Sequence, residues 1–184
     1  MGYSIDELAY VLGKLMEYGI DFVIIGDTVV QFALKKKILE GDVDLFVISP
    51  SVIVEEEKYG SIAESEGWLY ATTDAGTPKI IARVDDKEIP LEFYENIFDI
   101  YVPEEIISGA GKKKISGIEI KMIKPEEYIV LKARQGVDLD KLSKYISELK
   151  NDIDKRIILR TIMYFPEDEE KLIISRLRQA GLSI

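Results

Sequence analysis

Asp42, Val43 and Asp44 open an otherwise apolar run that continues Leu45-Phe46-Val47. In an extended chain residues two apart share a face, so the Asp42 and Asp44 carboxylates project together while Val43 and Leu45 turn into a core. Two carboxylates held that close raise one another's pKa unless a cation sits between them. Oxygen donors at this density suit Mg²⁺ or Mn²⁺, which keep open positions for substrate phosphates. The competing reading is a solvated strand edge on which the pair has no chemistry. A third acid, Glu92, stands between Leu91 and Phe93 in the strand pattern of residues 89–94. A buried carboxylate needs a partner, because leaving it unpaired is costly. Pro90 keeps open an edge strand with Glu92 in water, and Glu95 and Asp99, past the strand end, compete with it.

The elements that position these acids are legible around them. Phe22-Val23-Ile24-Ile25 is a short β-branched run, a buried strand. Gly26 then allows a sharp turn, since glycine takes backbone angles closed to other residues. Val29, Val30, Ala33 and Leu34 recur at helical spacing, which predicts a helix over residues 28–37. Asp27 is expected to cap that helix. It thereby places an anion where a phosphate would meet the free N–H groups at the helix start. A strand over residues 42–47 follows.

Outside this unit, Ser4 and Glu7 form a capping box ahead of a helical face of Leu8, Val11, Leu12, Leu15 and Met16. A polar helix is expected up to about Glu66, weakened at Gly60. Strands follow at residues 68–72, 79–84 and 89–94, the last two joined by a hairpin-like Asp85-Asp86-Lys87. Gly111-Lys112-Lys113-Lys114 reads as an exposed basic turn, either a solvated loop or a phosphate or RNA contact. A strand at 118–123 precedes helices starting at Pro125 and Asp138 and spanning residues 152–164 and 167–180. The expected division is an α/β core over residues 1–124 and a C-terminal helical region over 125–184, packed as one compact unit.

The 184 residues include no cysteine and no histidine. Disulfides, thiolate metal sites and a cysteine nucleophile are excluded, as are the commonest general base and zinc ligand. Any chemistry must run on carboxylates, lysines, hydroxyls and hard cations. A formal net charge of −10 argues against nonspecific nucleic-acid binding over the whole surface. No apolar run is long enough to span a bilayer and the N-terminus lacks a signal-peptide pattern, so a cytoplasmic protein with no membrane partner is expected.

The order strand, glycine turn, helix and carboxylate-bearing strand resembles the nucleotidyltransferase superfamily. The superfamily pattern falls on Ile25, Gly26 and Asp27, then Asp42, Val43, Asp44 and Leu45, with Asp27 where relatives carry Gly or Ser. The segment from Met122 to Leu142 further resembles abortive-infection and toxin-antitoxin members, whose helix carries a lysine followed by basic and acidic residues. The usual lysine-aspartate pair of the next turn is missing, leaving Asp138 and Asp140. The resemblance implies an α+β fold, a mixed sheet flanked by helices with a C-terminal helical layer. It implies that Asp42, Asp44 and Glu92 hold Mg²⁺ or Mn²⁺ as metal ligands and catalytic residues. Gly26, Asp27, Thr28, Lys132 and Arg134 would then face the nucleotide. The implied function is transfer of a nucleoside monophosphate from an NTP to an acceptor hydroxyl on RNA, protein or a small molecule. The alternative is a degenerate member that binds or regulates, with a protein partner, as in a toxin-antitoxin pair.

Overall fold

The strand that bears Asp44, β4 (Val43–Ser49), is the central member of a seven-stranded mixed sheet in the computed structural model, which describes residues 2–97 and 100–184. Asp99, one of the acids competing with Glu92, lies outside the described residues. On one side β4 pairs with β2 (Asp21–Ile24), followed outward by β9 (Ile118–Met122) and β8 (Gly111–Ile115). On the other it pairs with β7 (Lys87–Tyr94), then β6 (Pro78–Val84) and β5 (Leu69–Thr72). The β4–β7 and β2–β9 pairs are parallel and the other pairs antiparallel. Val43, Leu45, Leu91 and Phe93 are fully buried, as strand alternation requires of the face opposite the acids.

Helix α1 (Ile5–Glu17) starts with the expected capping box, in which Ser4 Oγ accepts the Glu7 N–H and Glu7 accepts the Ser4 N–H. Helix α3 (Glu56–Glu66) runs through Gly60 without a break and packs on β5 and β6. A short α4 (Glu104–Ser108) leads into β8. Helix α5 (Pro125–Gln135) then contacts α6 (Leu139–Leu149), α7 (Lys155–Ile162), α8 (Glu167–Gln179) and the short α2 (Thr28–Ala33). One cluster of buried side chains runs from Leu12 and Val23 through Leu45 and Phe93 to Ile129, Leu142, Ile158 and Leu177. The fold is therefore α+β, with helices flanking the sheet and a helical layer at the C-terminus. No helix among the described residues is long and apolar enough to cross a membrane.

Four local expectations are corrected. Helix α2 stops at Ala33 rather than Lys37, because the Gln31 side-chain amide donates to the Glu40 carbonyl and accepts its N–H. That clamp pulls the chain back, Lys35 takes a left-handed conformation (φ 55°), and Ile38–Leu39 becomes β3, paired with β1 (Tyr3–Ser4). Asp42 precedes β4 instead of lying in it. Gly111 to Lys114 is edge strand, and the turn falls at Ser116-Gly117, both at positive φ. The helix expected over 152–164 begins later, at Lys155, because the Asp154 carboxylate caps it by accepting the Arg156 N–H.

Ile129 is fully buried on α5, the element joining the sheet side to the C-terminal helices. Ile129→Ala should lower unfolding free energy by about 2–5 kcal/mol, measured by urea titration; a loss under 1 kcal/mol would show the layer to be loosely attached.

Candidate active site

Strand register brings the acids together. Asp44 on β4 is the parallel partner of Glu92 on β7, and Asp42 lies two residues upstream on the same face. The cleft they line has a volume of about 1100 Å³, with Gly26, Asp27, Lys79, Lys132, Arg134 and Lys141 also on its walls. Glu95 is removed from contention because it caps a turn, accepting from the Ser51 hydroxyl (2.9 Å) and the Val52 N–H (3.1 Å).

Asp44 is the most constrained of the acids. Burial, then the charges of Glu92, Asp27 and Asp42, push its pKa up from 3.8 to about 7. Gly26 makes room for it. At φ 71° a Cβ on residue 26 would be strained, and it would lie 2.7 Å from Asp44 Cγ, inside contact distance. The glycine is thus required by the carboxylate as well as by the turn.

Lys79 was not among the residues singled out in the sequence, yet it joins two of the acids. Its Nζ lies 2.7 Å from Glu92 Oε1 and 3.5 Å from Asp42 Oδ2. The Tyr94 hydroxyl donates to the other Glu92 oxygen. Burial alone would raise the Glu92 pKa, but these two donors bring it below the ordinary glutamate value. Asp42 is instead raised, by burial and by the Glu92 charge, against the pull of Lys79. The signal for Lys79 was present: the two-residue turn at Asp85-Asp86 pairs Val84 with Lys87, and that register carries Lys79 opposite Glu92.

Asp27 does not cap α2, and its carboxylate makes no bond to the helix start. It turns to α6 instead, accepting from the Tyr145 hydroxyl at 2.9 Å and pairing with Lys141 Nζ at 2.5 Å. The ion pair outcompetes the cap because Asp27 is helical itself (φ −77°, ψ −15°), whereas a capping residue has extended angles. An anion already neutralised by Lys141 opposes a triphosphate less than a free one.

The remaining sequence candidates divide. Lys132 lines the cleft, with Nζ 3.3 Å from Asp138 Oδ2. Arg134 also borders it, but its guanidinium is held by Glu169 on α8 and stacks over Tyr101 and Phe165. Thr28 is wholly buried and is not among the lining residues; its hydroxyl lies 3.5 Å from the Asp42 carbonyl, tying α2 to the approach to β4.

A family described as "nucleotidyl transferase of unknown function (DUF2204)" matches residues 4–179. The chain belongs to this family. No curated protein matches the sequence. Among solved structures, an antigenic nucleotidyltransferase-like protein from Paracoccidioides brasiliensis is similar in fold, with 16% identity and a TM-score of 0.61 over 98% of this chain and 91% of that one. The antibiotic-resistance factor ANT(2'')-Ia is more distant. Its complex with adenylyl-2''-tobramycin gives 16% identity and a TM-score of 0.48 over 96% of this chain and 98% of that one. Its solution structure gives 15% and 0.45 over 95% and 91%. The family assigns the chain to the nucleotidyltransferases, and the Paracoccidioides structure shares its fold.

Gly26→Ala should cost at least about 2 kcal/mol, from left-handed strain and the collision with Asp44. The check is a thermal melt of the two proteins side by side; equal melting temperatures would mean that Asp44 lies elsewhere. Asp44 also sets a pH dependence. Its folded-state pKa of about 7 exceeds the ordinary 3.8. Between those values the folded chain keeps a proton that the unfolded chain has lost, so the Asp44 contribution to stability falls as pH rises through that window. In chelator, Asp44→Asn should therefore gain on wild type from about pH 4 to about pH 8, reaching roughly 4 kcal/mol. Urea unfolding at each pH reads the difference, and a pH-independent gap would contradict it.

Proposed function

We propose that the chain transfers a nucleoside monophosphate from an NTP to an acceptor hydroxyl, on RNA, protein or a small molecule, with a divalent cation. The observation that carries this reading is the pairing of Asp44 with Glu92 across adjacent parallel strands, beside Asp42 and facing a cleft of nucleotide size.

The donor chemistry fits Mg²⁺ or Mn²⁺. Fully ionised, the Asp27, Asp42, Asp44 and Glu92 carboxylates are met by two ammonium groups, Lys79 and Lys141, leaving two negative charges for a cation to offset. Among the described residues no three acids are already gathered as a ligand set. Lys79 and Tyr94 occupy both Glu92 oxygens, whereas Asp42 meets Lys79 through one oxygen at 3.5 Å, so Asp42 and Asp44 are the residues that would hold the ion. The chemistry such an ion supplies when bound is polarisation of the α-phosphate and neutralisation of the departing pyrophosphate.

The chain's own residues supply the rest. Gly26, lacking a side chain, lets the backbone approach the triphosphate. Lys132 and Lys141 border the cleft and would neutralise the β- and γ-phosphates. Glu92 would accept the acceptor's proton through a lone pair not used by Lys79 or Tyr94. The acceptor oxygen bonds to the α-phosphorus, the bond to the β-phosphate oxygen breaks, and pyrophosphate leaves. A second reading, a silent binding protein of the same fold, is favoured by the ammonium of Lys79 lying between two of the acids.

Incubation with each α-³²P-labelled NTP, Mg²⁺ and candidate acceptors separates the two. Label transfer with pyrophosphate release is expected, reduced by about 10²-fold or more in Asp42→Asn and Asp44→Asn. Nucleotide binding without transfer to any acceptor class would favour the silent protein.

A further inference from the structure

Lys79 is more than a surface ion pair. Its side chain and that of Glu92 are 21% and 15% exposed, where exposed pairs of this kind contribute little. Its backbone is locked opposite Glu92 in the β6–β7 ladder, between buried Pro78 and Ile80, so its side chain has no choice of face. The ammonium reaches across two strands, from β6 past β7 towards the approach to β4, and touches Glu92 and Asp42 together. Both Glu92 oxygens are thereby taken by protein donors, Lys79 on one and Tyr94 on the other.

Two-ion phosphoryl-transfer sites place their cations about 3.5–4 Å apart, clamping the attacking and leaving oxygens. A cation bridging Asp42 and Glu92 in such a pair would fall on the Lys79 ammonium. We propose that Lys79 is a built-in cation of this site, holding the position between Asp42 and Glu92 so that the enzyme works with a single divalent ion on Asp42 and Asp44. The inference rests on the nucleotidyltransferase reading above and specifies its metal requirement. It gives Lys79 a positioning role: the ammonium keeps Glu92 off the metal and turns it towards the acceptor hydroxyl. It also explains why three acids on one face do not converge as a ligand set.

The test counts Mn²⁺ bound to the full-length chain with a non-hydrolysable NTP analogue, by equilibrium dialysis and electron paramagnetic resonance. Wild type should bind one Mn²⁺ per chain with no exchange coupling. Lys79→Met should bind two, with the exchange-coupled spectrum of ions about 4 Å apart. Lys79→Arg, which keeps the positive charge, should return the count to one. Two coupled ions in wild type overturn the inference and leave the nucleotidyltransferase reading standing. One ion in both wild type and Lys79→Met overturns the role of Lys79. No binding by any of the three proteins overturns both readings. If Lys79→Met does not fold, Lys79→Gln, which also removes the charge, takes its place: two ions are expected, and one ion overturns the role of Lys79.

Discussion

Four carboxylates crowd one end of the central sheet, and the rest of the site is arranged around their mutual repulsion. Asp44 is buried beside Glu92, Asp42 and Asp27, with burial and these three charges all pushing its pKa upward. Burying one charge without compensation costs several kcal/mol, so a fold that keeps these acids together must supply cations from elsewhere. It does so from two directions. Lys79 arrives along the sheet, through the hairpin that pairs β6 with β7. Lys141 arrives from the helical layer, with Tyr145 beside it.

The second of these contacts gives the C-terminal helices a role beyond covering the core. Asp27 stands at the turn after β2, and its partners lie on α6, so the ion pair fastens the helical layer to the mouth of the cleft. Arg134 braces the cleft wall too, through Glu169 and two aromatic faces. Cleft geometry and helix packing are consequently coupled: a change in the charge of Asp27 alters both the electrostatics of the site and the seat of α6.

What the sequence disclosed follows from which contacts are local. The parallel register of β4 and β7 that joins Asp44 to Glu92 is a tertiary pairing, but alternation along the chain put Asp42 with Asp44 and set Glu92 opposite Leu91 and Phe93. Lys79 was within reach of the same logic, since a two-residue turn fixes the register of its hairpin. Lys141 and the true partners of Asp27 were not, for they depend on how α6 docks more than a hundred residues later. The shortened α2 was hidden for a similar reason. The Gln31–Glu40 clamp is a side-chain contact that helical periodicity does not encode. Arg134 lines the cleft as its place in the motif suggested, but its pairing with Glu169 on α8 lay beyond local pattern.

The central claim is that the acid face is a nucleotide-transfer centre whose charge is shared between lysines and metal. Anomalous diffraction from crystals grown with Mn²⁺ and a non-hydrolysable NTP analogue tests it most directly. The expected result is a manganese peak within ligand distance of Asp42 and Asp44, an α-phosphate beside it, and a triphosphate running towards Lys132 and Lys141. A nucleotide bound away from these acids, or manganese on none of them, would contradict the account.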